Sequence, residues 1–272
     1  MLRTRVLTAV VLLALLLPLV YFAPTRWFAG VCLACMALCL REWLKLLDLA
    51  EGPRWAALAM LLACGLALIA DGWFAPEDAI VYVMLPAAFA WLIFVPLTLA
   101  RHATPRGGSG VVFAWWACLA CFLALWAARS ESLEFLLSVL LLVWVADTAA
   151  YFTGRALGRR KLAPSISPGK TWEGVLGAVV ANLLWVLWAE EEWAGSWPAW
   201  TADAWGLDGL VMITALITAV SVMADLHESL LKRQAQVKDS GGLLPGHGGV
   251  FDRLDALLAT TPLAVLFAWP GF

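Results

Sequence analysis

Between Ser229 and Asp255 the chain gathers Lys232, Arg233, Lys238 and Arg253, the carboxylates Asp239, Asp252 and Asp255, the imidazole of His247 and five glycines into 27 positions. Lysine and arginine neutralise phosphoryl oxygens, and glycines let backbone N–H groups close on an anion. Carboxylate oxygens suit a hard divalent cation that bridges to substrate phosphates. These types and spacings point to phosphate and divalent-metal chemistry. Pro245-Gly246-His247-Gly248-Gly249 cannot continue a helix, whereas Asp252 and Asp255, three apart, share one face of the next. A solvated basic loop needs no such order. Just upstream, Asp225, Ser229 and Lys232 fall at i, i+4 and i+7 on one helical face. Glu228 and Lys232 form an i,i+4 pair that a plain surface ion pair explains equally well, and His227 is left open between the same two readings.

A second group of residues surrounds Asp147, which sits inside an apolar run where an ionisable side chain costs about 3 kcal/mol unless it is paired or faces water. A functional reading of Asp147 therefore outweighs a structural hydrogen bond. The segment after it carries Arg155, Arg159, Arg160, Lys161 and Lys170, with Ser165, Ser167 and Thr171 as further phosphate donors. Ser167-Pro168-Gly169-Lys170-Thr171 reads as a rigid turn that delivers a lysine and a hydroxyl to the start of a helix, where anions are favoured. It is not a P-loop, since the first glycine spacing and a preceding strand are missing.

The elements that must hold these residues are membrane helices. Of the 272 residues 63% are hydrophobic and 14% charged, with 17 tryptophans, far more apolar surface than one soluble core can bury. The expected fold is all-α and polytopic. Nine spans are predicted at Val6–Ala23, Trp27–Leu44, Trp55–Ala70, Ala79–Ala100, Val111–Ala128, Leu133–Phe152, Trp172–Ala189, Leu207–Met223 and Ala256–Trp269. The tryptophan-rich Ala194–Trp205 is expected to lie at the interface. Tyr21 stands where a signal peptide would carry a small residue, so the first run is read as an uncleaved span. The six cysteines fall in apolar runs and read as packing residues. All 18 Lys and Arg except Arg26 and Arg129 fall in the N-terminal tail or after spans two, four, six and eight. The opposite connections hold acids including Glu77, Asp78, Glu131, Glu190, Glu191 and Asp203. That bias puts the N-terminus and the motif loops in the cytoplasm. Arg41, Glu42, Lys45 and Arg54 are read as anchoring alone, as are Arg101, His102 and Arg106. Residues 1–128 form an N-terminal region of five spans, and 129–272 a catalytic region with cytoplasmic loops 153–171 and 224–255.

The motif from Ser229 to Asp255 resembles the signature of the phosphatidate cytidylyltransferases, S-x-x-K-R-x₄-K-D, a glycine-rich P-x-H-G-G, then D-R-x-D. Asp147 to Gly174 is similar to a second region of the same family. Neither match extends to spans one to five. The resemblance implies an Mg²⁺-dependent enzyme of the bacterial inner membrane that joins CTP or dCTP to phosphatidate, releasing pyrophosphate. A second divalent or a monovalent ion is left open, as is a homodimer, and no nucleic acid is expected. Asp225 and Asp252, with Asp239 or Asp255, are the expected metal ligands. Lys170, Lys232, Arg233 and Lys238 would neutralise nucleotide and leaving group, and Arg253 or Lys161 would hold the phosphatidate head group. His247 is expected to orient a phosphate or a ligand, with Asp147, Ser167, Thr171, Ser229, Gly248 and Gly249 lining the substrates. A transporter would instead place its charges near the bilayer midplane, and a scaffold would not need the aspartates.

Overall fold

The computed structural model describes residues 2–71 and 80–269; Glu77, Asp78 and the expected span start at Ala79 lie outside them. Nine helices are present among the described residues. They are α1 (Leu2–Phe22), α2 (Thr25–Leu46), α3 (Glu51–Asp71), α4, α5 (Gly107–Glu131), α6 (Leu133–Leu157), α7 (Trp172–Glu192), α8 (Trp197–Gln234) and α9 (Phe251–Ala268). The fourth is built from four consecutive pieces, Ile80–Met84, Leu85–Phe89, Ala90–Phe94 and Val95–Ala100, the first and third wound as π-helix. Helices α2 to α8 are long and apolar enough to cross a membrane. The molecule is an all-helical polytopic membrane protein with one addition. Strands β1 (Lys161–Ala163) and β2 (Ser167–Thr171) pair antiparallel, so the stretch expected to be a turn at Lys170 is the second arm of a hairpin. Trp172 N donates to Arg160 O across it, and the exposed Glu173 carboxylate accepts the N–H groups of Arg159 and Arg160.

Helix α5 is central, every side chain from Ala117 to Ala128 being buried. One apolar core runs from Val20 to Ala268 and takes residues from both 1–128 and 129–272. Buried Cys118 and Cys121 lie in it, and Thr261 Oγ1 donates to Cys121 Sγ at 3.3 Å. Against this core stand α6, α7 and α8, which approach closely because small residues face one another. A Cβ on Gly177 would come within 2.2 Å of Thr153 Oγ1. In the same layer the fully buried Asn182 donates to Leu142 O at 3.0 Å and Thr218 Oγ1 at 2.8 Å, and accepts Trp185 Nε1–H at 3.0 Å. One amide thus ties three helices together.

Two boundaries differ from expectation. Helix α6 runs five residues past Phe152, so Arg155 is helical and Asp147 lies nearly three turns from the helix end. Helix α8 breaks at Gly206 (φ 71°), separating a short 197–205 segment from a long 207–234 stretch that passes Met223 without interruption. The tryptophan-rich segment is therefore a separate piece, and the motif residues up to Lys232 ride on the long helix. The connections that carry the cations meet at one end of the bundle: Gln234 bonds Thr104 and His102 O, Arg233 bonds Ile166 O, and Glu42 bonds Ser240.

Replacing Asn182 with Ala should leave Leu142 O, Thr218 and Trp185 without their shared partner. Interhelical bonds in membranes are worth about 1 kcal/mol each, so the detergent-solubilised variant should melt several degrees below the parent. An unchanged melting temperature would remove the amide from the fold's support.

Candidate active site

The carboxylates of the long α8 stretch and of α9 converge. Asp225, Glu228 and Asp255 each bring an oxygen within 4.8 Å of the others. Glu228 is 2% exposed; its Oε2 takes Lys232 Nζ at 2.6 Å, while its Oε1 is buried with no partner among the described residues. Lys170 Nζ reaches across from β2 to Asp225 Oδ2 at 2.6 Å, and Ser229 Oγ donates weakly to Asp225 Oδ1 at 3.4 Å. Three acids this close repel unless cations intervene, and two lysines are present to do so.

Lys232 also contacts Asp252 Oδ1 at 2.7 Å, bridging α8 and α9. The other oxygen, Asp252 Oδ2, accepts three donors from the glycine-rich loop: Ser240 N at 2.9 Å, Ser240 Oγ at 3.0 Å and Gly249 N at 2.7 Å. Asp252 is thus committed to Lys232 and to the loop, and the acid that joins Asp225 and Asp255 is Glu228. Lys238 and Asp239 stand exposed at the loop's start. Leu244 N donates to Gly248 O at 3.0 Å and His247 N to Leu244 O at 2.8 Å, closing the loop's tip with Gly248 at φ +84°. The Arg253 guanidinium donates to His247 O at 2.7 and 3.0 Å, and His247 Nδ1 is buried without a partner among the described residues.

Beside these acids opens a cleft of about 420 Å³ between α6, β2, α7 and α8, lined by Asp147, Arg155, Lys170, Thr171 and Asp225. Arg155 donates to Tyr151 OH at 2.8 Å at its rim. Thr171 accepts Gly174 N–H at 3.2 Å and so caps α7 while delivering Lys170 to Asp225. Lys161 is exposed on β1, and Ser167 pairs with Ala163 across the hairpin. Arg233 holds that hairpin through Ile166 O at 3.3 Å.

A profile described as "Cytidylyltransferase family" matches residues 3–269. A protein of Pseudomonas aeruginosa named phosphatidate cytidylyltransferase is 35% identical over 280 residues, covering 99% of this chain and 97% of that protein. The chain belongs to the cytidylyltransferase family. A protein of Brucella suis biovar 1 with the same name is 34% identical over 98% of this chain and 93% of its own length. One from Haemophilus influenzae is 43% identical over 50% of this chain and 46% of its own length. This cytidylyltransferase is accordingly a nucleotidyltransferase whose cluster of carboxylates and lysines borders a cleft between membrane helices through Asp225 and Lys170. The cluster fits a divalent ion: the donors are hard oxygens, and Glu228 Oε1 is a buried acceptor with nothing to accept.

Two cytidylyltransferase residues escaped the sequence. Glu228 looked like half of a surface pair because its i,i+4 lysine explains it locally; only its burial separates the two readings. Glu42 was grouped with anchoring charges of α2, yet it is 2% exposed, and its Oε2 accepts Ser240 Oγ at 3.0 Å and Phe251 N at 2.9 Å. No local signal marks it, since its partners lie about two hundred positions away.

The loop leaves no room beneath its second glycine pair. A Cβ on Gly249 would sit 2.2 Å from Glu42 Oε2 and 2.3 Å from Ser240 Oγ. Gly249→Ala should therefore displace the loop from Asp252 and reduce kcat/KM for nucleotide by roughly 10-fold or more, the scale of a lost buried hydrogen bond to a charged group. Gly242→Ala, where a Cβ meets nothing within 4 Å, should behave as the parent; equal losses in both would deny the close fit.

Proposed function

We propose that this chain is a phosphatidate cytidylyltransferase, converting CTP and phosphatidate to CDP-diacylglycerol and pyrophosphate. The reading is carried by one observation: a triad of carboxylates and two lysines abuts a cleft walled by apolar membrane helices. A lipid phosphate can reach such a site from the bilayer and a nucleotide from water. In the reaction a phosphatidate oxygen attacks the α-phosphorus of CTP, the new P–O bond forms, and the α–β P–O bond breaks with its electron pair leaving on pyrophosphate. Phosphatidate is already ionised near neutral pH, so the protein needs neither a nucleophile nor a general base.

The residues orient and neutralise. Asp225, Glu228 and Asp255 would hold Mg²⁺, which when bound supplies positive charge to the phosphoryl oxygens. Lys232 and Lys170 lower the charge repulsion among the acids and stand ready for the phosphates. Arg155 and Lys170, on the walls of the cleft, suit the phosphatidate head group, and Arg233, Lys238 and His247 suit the nucleotide's phosphates at the loop. Asp252 acts through the loop it anchors. Nine spans with the N-terminus and the loops in the cytoplasm, in the bacterial inner membrane, complete the reading; its support is the placement of the cations at one end of the bundle.

Purified protein assayed with CTP or dCTP and phosphatidate tests the chemistry. Asp225→Asn and Asp255→Asn should each lower kcat by at least roughly 10²-fold, the scale of one preorganised charge-stabilising group. Glu191→Gln, on an exposed turn at the far end of α7, should leave turnover unchanged. Near-parental activity of both aspartate variants at limiting Mg²⁺ would end the assignment.

Sidedness is checked in a cysteine-free background, which should remain active because the six thiols only pack. A Cys at Lys238 should react with an impermeant reagent from the cytoplasm and one at Glu191 from the opposite side. Labelling of both from the same side would overturn the topology.

A further inference from the structure

Glu42 and Trp43, adjacent on α2, grip the catalytic end of the chain together. Glu42 accepts the N–H of Phe251, and Trp43 stacks on the ring of the same residue with centroids 4.7 Å apart and planes 12° from parallel. Trp43 also meets the buried His227, the residue before Glu228, edge-on at 5.8 Å. Helix α2 therefore fixes both the first residue of α9 and the α8 turn that carries Asp225 and Glu228, two of the three acids.

From Glu42 an unbroken line of polar contacts leads to the triad. Its Oε2 takes the Ser240 hydroxyl at 3.0 Å; that hydroxyl lies 3.0 Å from Asp252 Oδ2 as well; Asp252 Oδ1 meets Lys232 at 2.7 Å; and Lys232 meets Glu228 at 2.6 Å. One hydroxyl proton serves two carboxylates, so neither acid alone sets where Ser240 sits. The glycines on either side leave the carboxylate nowhere else to go: a Cβ on Gly241 would fall 2.2 Å from Glu42 Oε1. That oxygen is itself buried with no partner among the described residues, which a residue serving only as a membrane anchor would not be.

We propose that Glu42 is a positioning residue of the active site. Through Ser240 it sets Asp252, and through Asp252 it sets the lysine that shares Glu228 with the cation site. Its reach is long because each contact is short and shielded at least in part from solvent, where hydrogen bonds to charged groups are strong and their loss costly. The inference rests on the triad being the cation site, and it makes the N-terminal half of the chain part of the catalytic apparatus.

The test follows the half-activating Mg²⁺ concentration, kcat, and tryptic cleavage after Lys238 in metal-free protein, alongside the melting temperature. Glu42→Ala should shift half-activation by roughly tenfold, the scale of one lost buried bond, and speed cleavage of the loop by a similar factor while the protein still melts cooperatively. Glu42→Gln, whose amide oxygen accepts the same two bonds, should recover most of the loss. Ser240→Ala, which leaves α2 intact, should reproduce the shift even if Glu42→Ala fails to fold. The double variant should lose no more than the worse single one, since both break the same line. Multiplying losses, or a parental Mg²⁺ midpoint and cleavage rate in Ser240→Ala, would overturn the proposal. Absence of CTP:phosphatidate turnover in the parent would instead overturn the function itself, and the cleavage rates would still decide the role of Glu42.

Discussion

The ammonium of Lys232 lies between Glu228 and Asp252, at 2.6 and 2.7 Å, and much of the catalytic end follows from that placement. An acid buried among membrane helices is tolerated only when a cation or donors answer it. Lys232 answers two at once, one on α8 and one on α9. With Asp252 fixed from one side by the lysine, its other oxygen is free to collect the loop's backbone N–H groups. A loop with five glycines would otherwise sample many shapes, because glycine restrains its own backbone least. Order in the loop therefore comes largely from carboxylates outside it, Asp252 through three donors and Glu42 through Ser240.

The sequence made this end of the molecule legible because charge is scarce elsewhere. In so apolar a chain, four cations and three acids in one stretch cannot be background, and helical spacing put Asp225, Ser229 and Lys232 on one face, as they are. Asp147 was legible for the same reason, and it lines the cleft. What spacing could not supply was the division of labour among acids. Asp252 and Glu228 both meet Lys232, and only burial and the loop's donors assign one to the triad and the other to the loop. Glu42 lay beyond local reading because Ser240 is 198 residues away and Arg41 and Lys45 beside it suggested a membrane anchor.

Much of the span pattern was also legible, since length and hydropathy are set by the bilayer: α2 to α8 coincide with seven of the nine expected spans. Ends were read less well. Helices α6 and α8 continue past their apolar stretches because intrahelical bonds persist wherever side chains find partners: Arg155 finds Tyr151, and Lys232 finds Glu228 and Asp252. The hairpin was missed for a different reason. Its three- and five-residue strands carry no alternation and pair only with each other, and the start of α7 and Arg233 hold them further.

The break at Gly206 acquires a meaning from the length of α9. Eighteen residues rise roughly 27 Å, and the polar turn from Asp252 to Asp255 removes several ångströms from what hydrocarbon can cover. On the nine-span reading proposed above, the far end of α9 stops short of a bilayer core of about 30 Å, where its last carbonyls would meet neither water nor head groups. The 197–205 segment turns back over that end: Trp197 Nε1 donates to Ala264 O and Trp205 Nε1 to Phe267 O, each at 2.7 Å. Two indoles stand in for the missing interface. On that reading a helix too short for its membrane is lengthened by its neighbour, and α9 can keep charge at one tip without drawing solvent to the other.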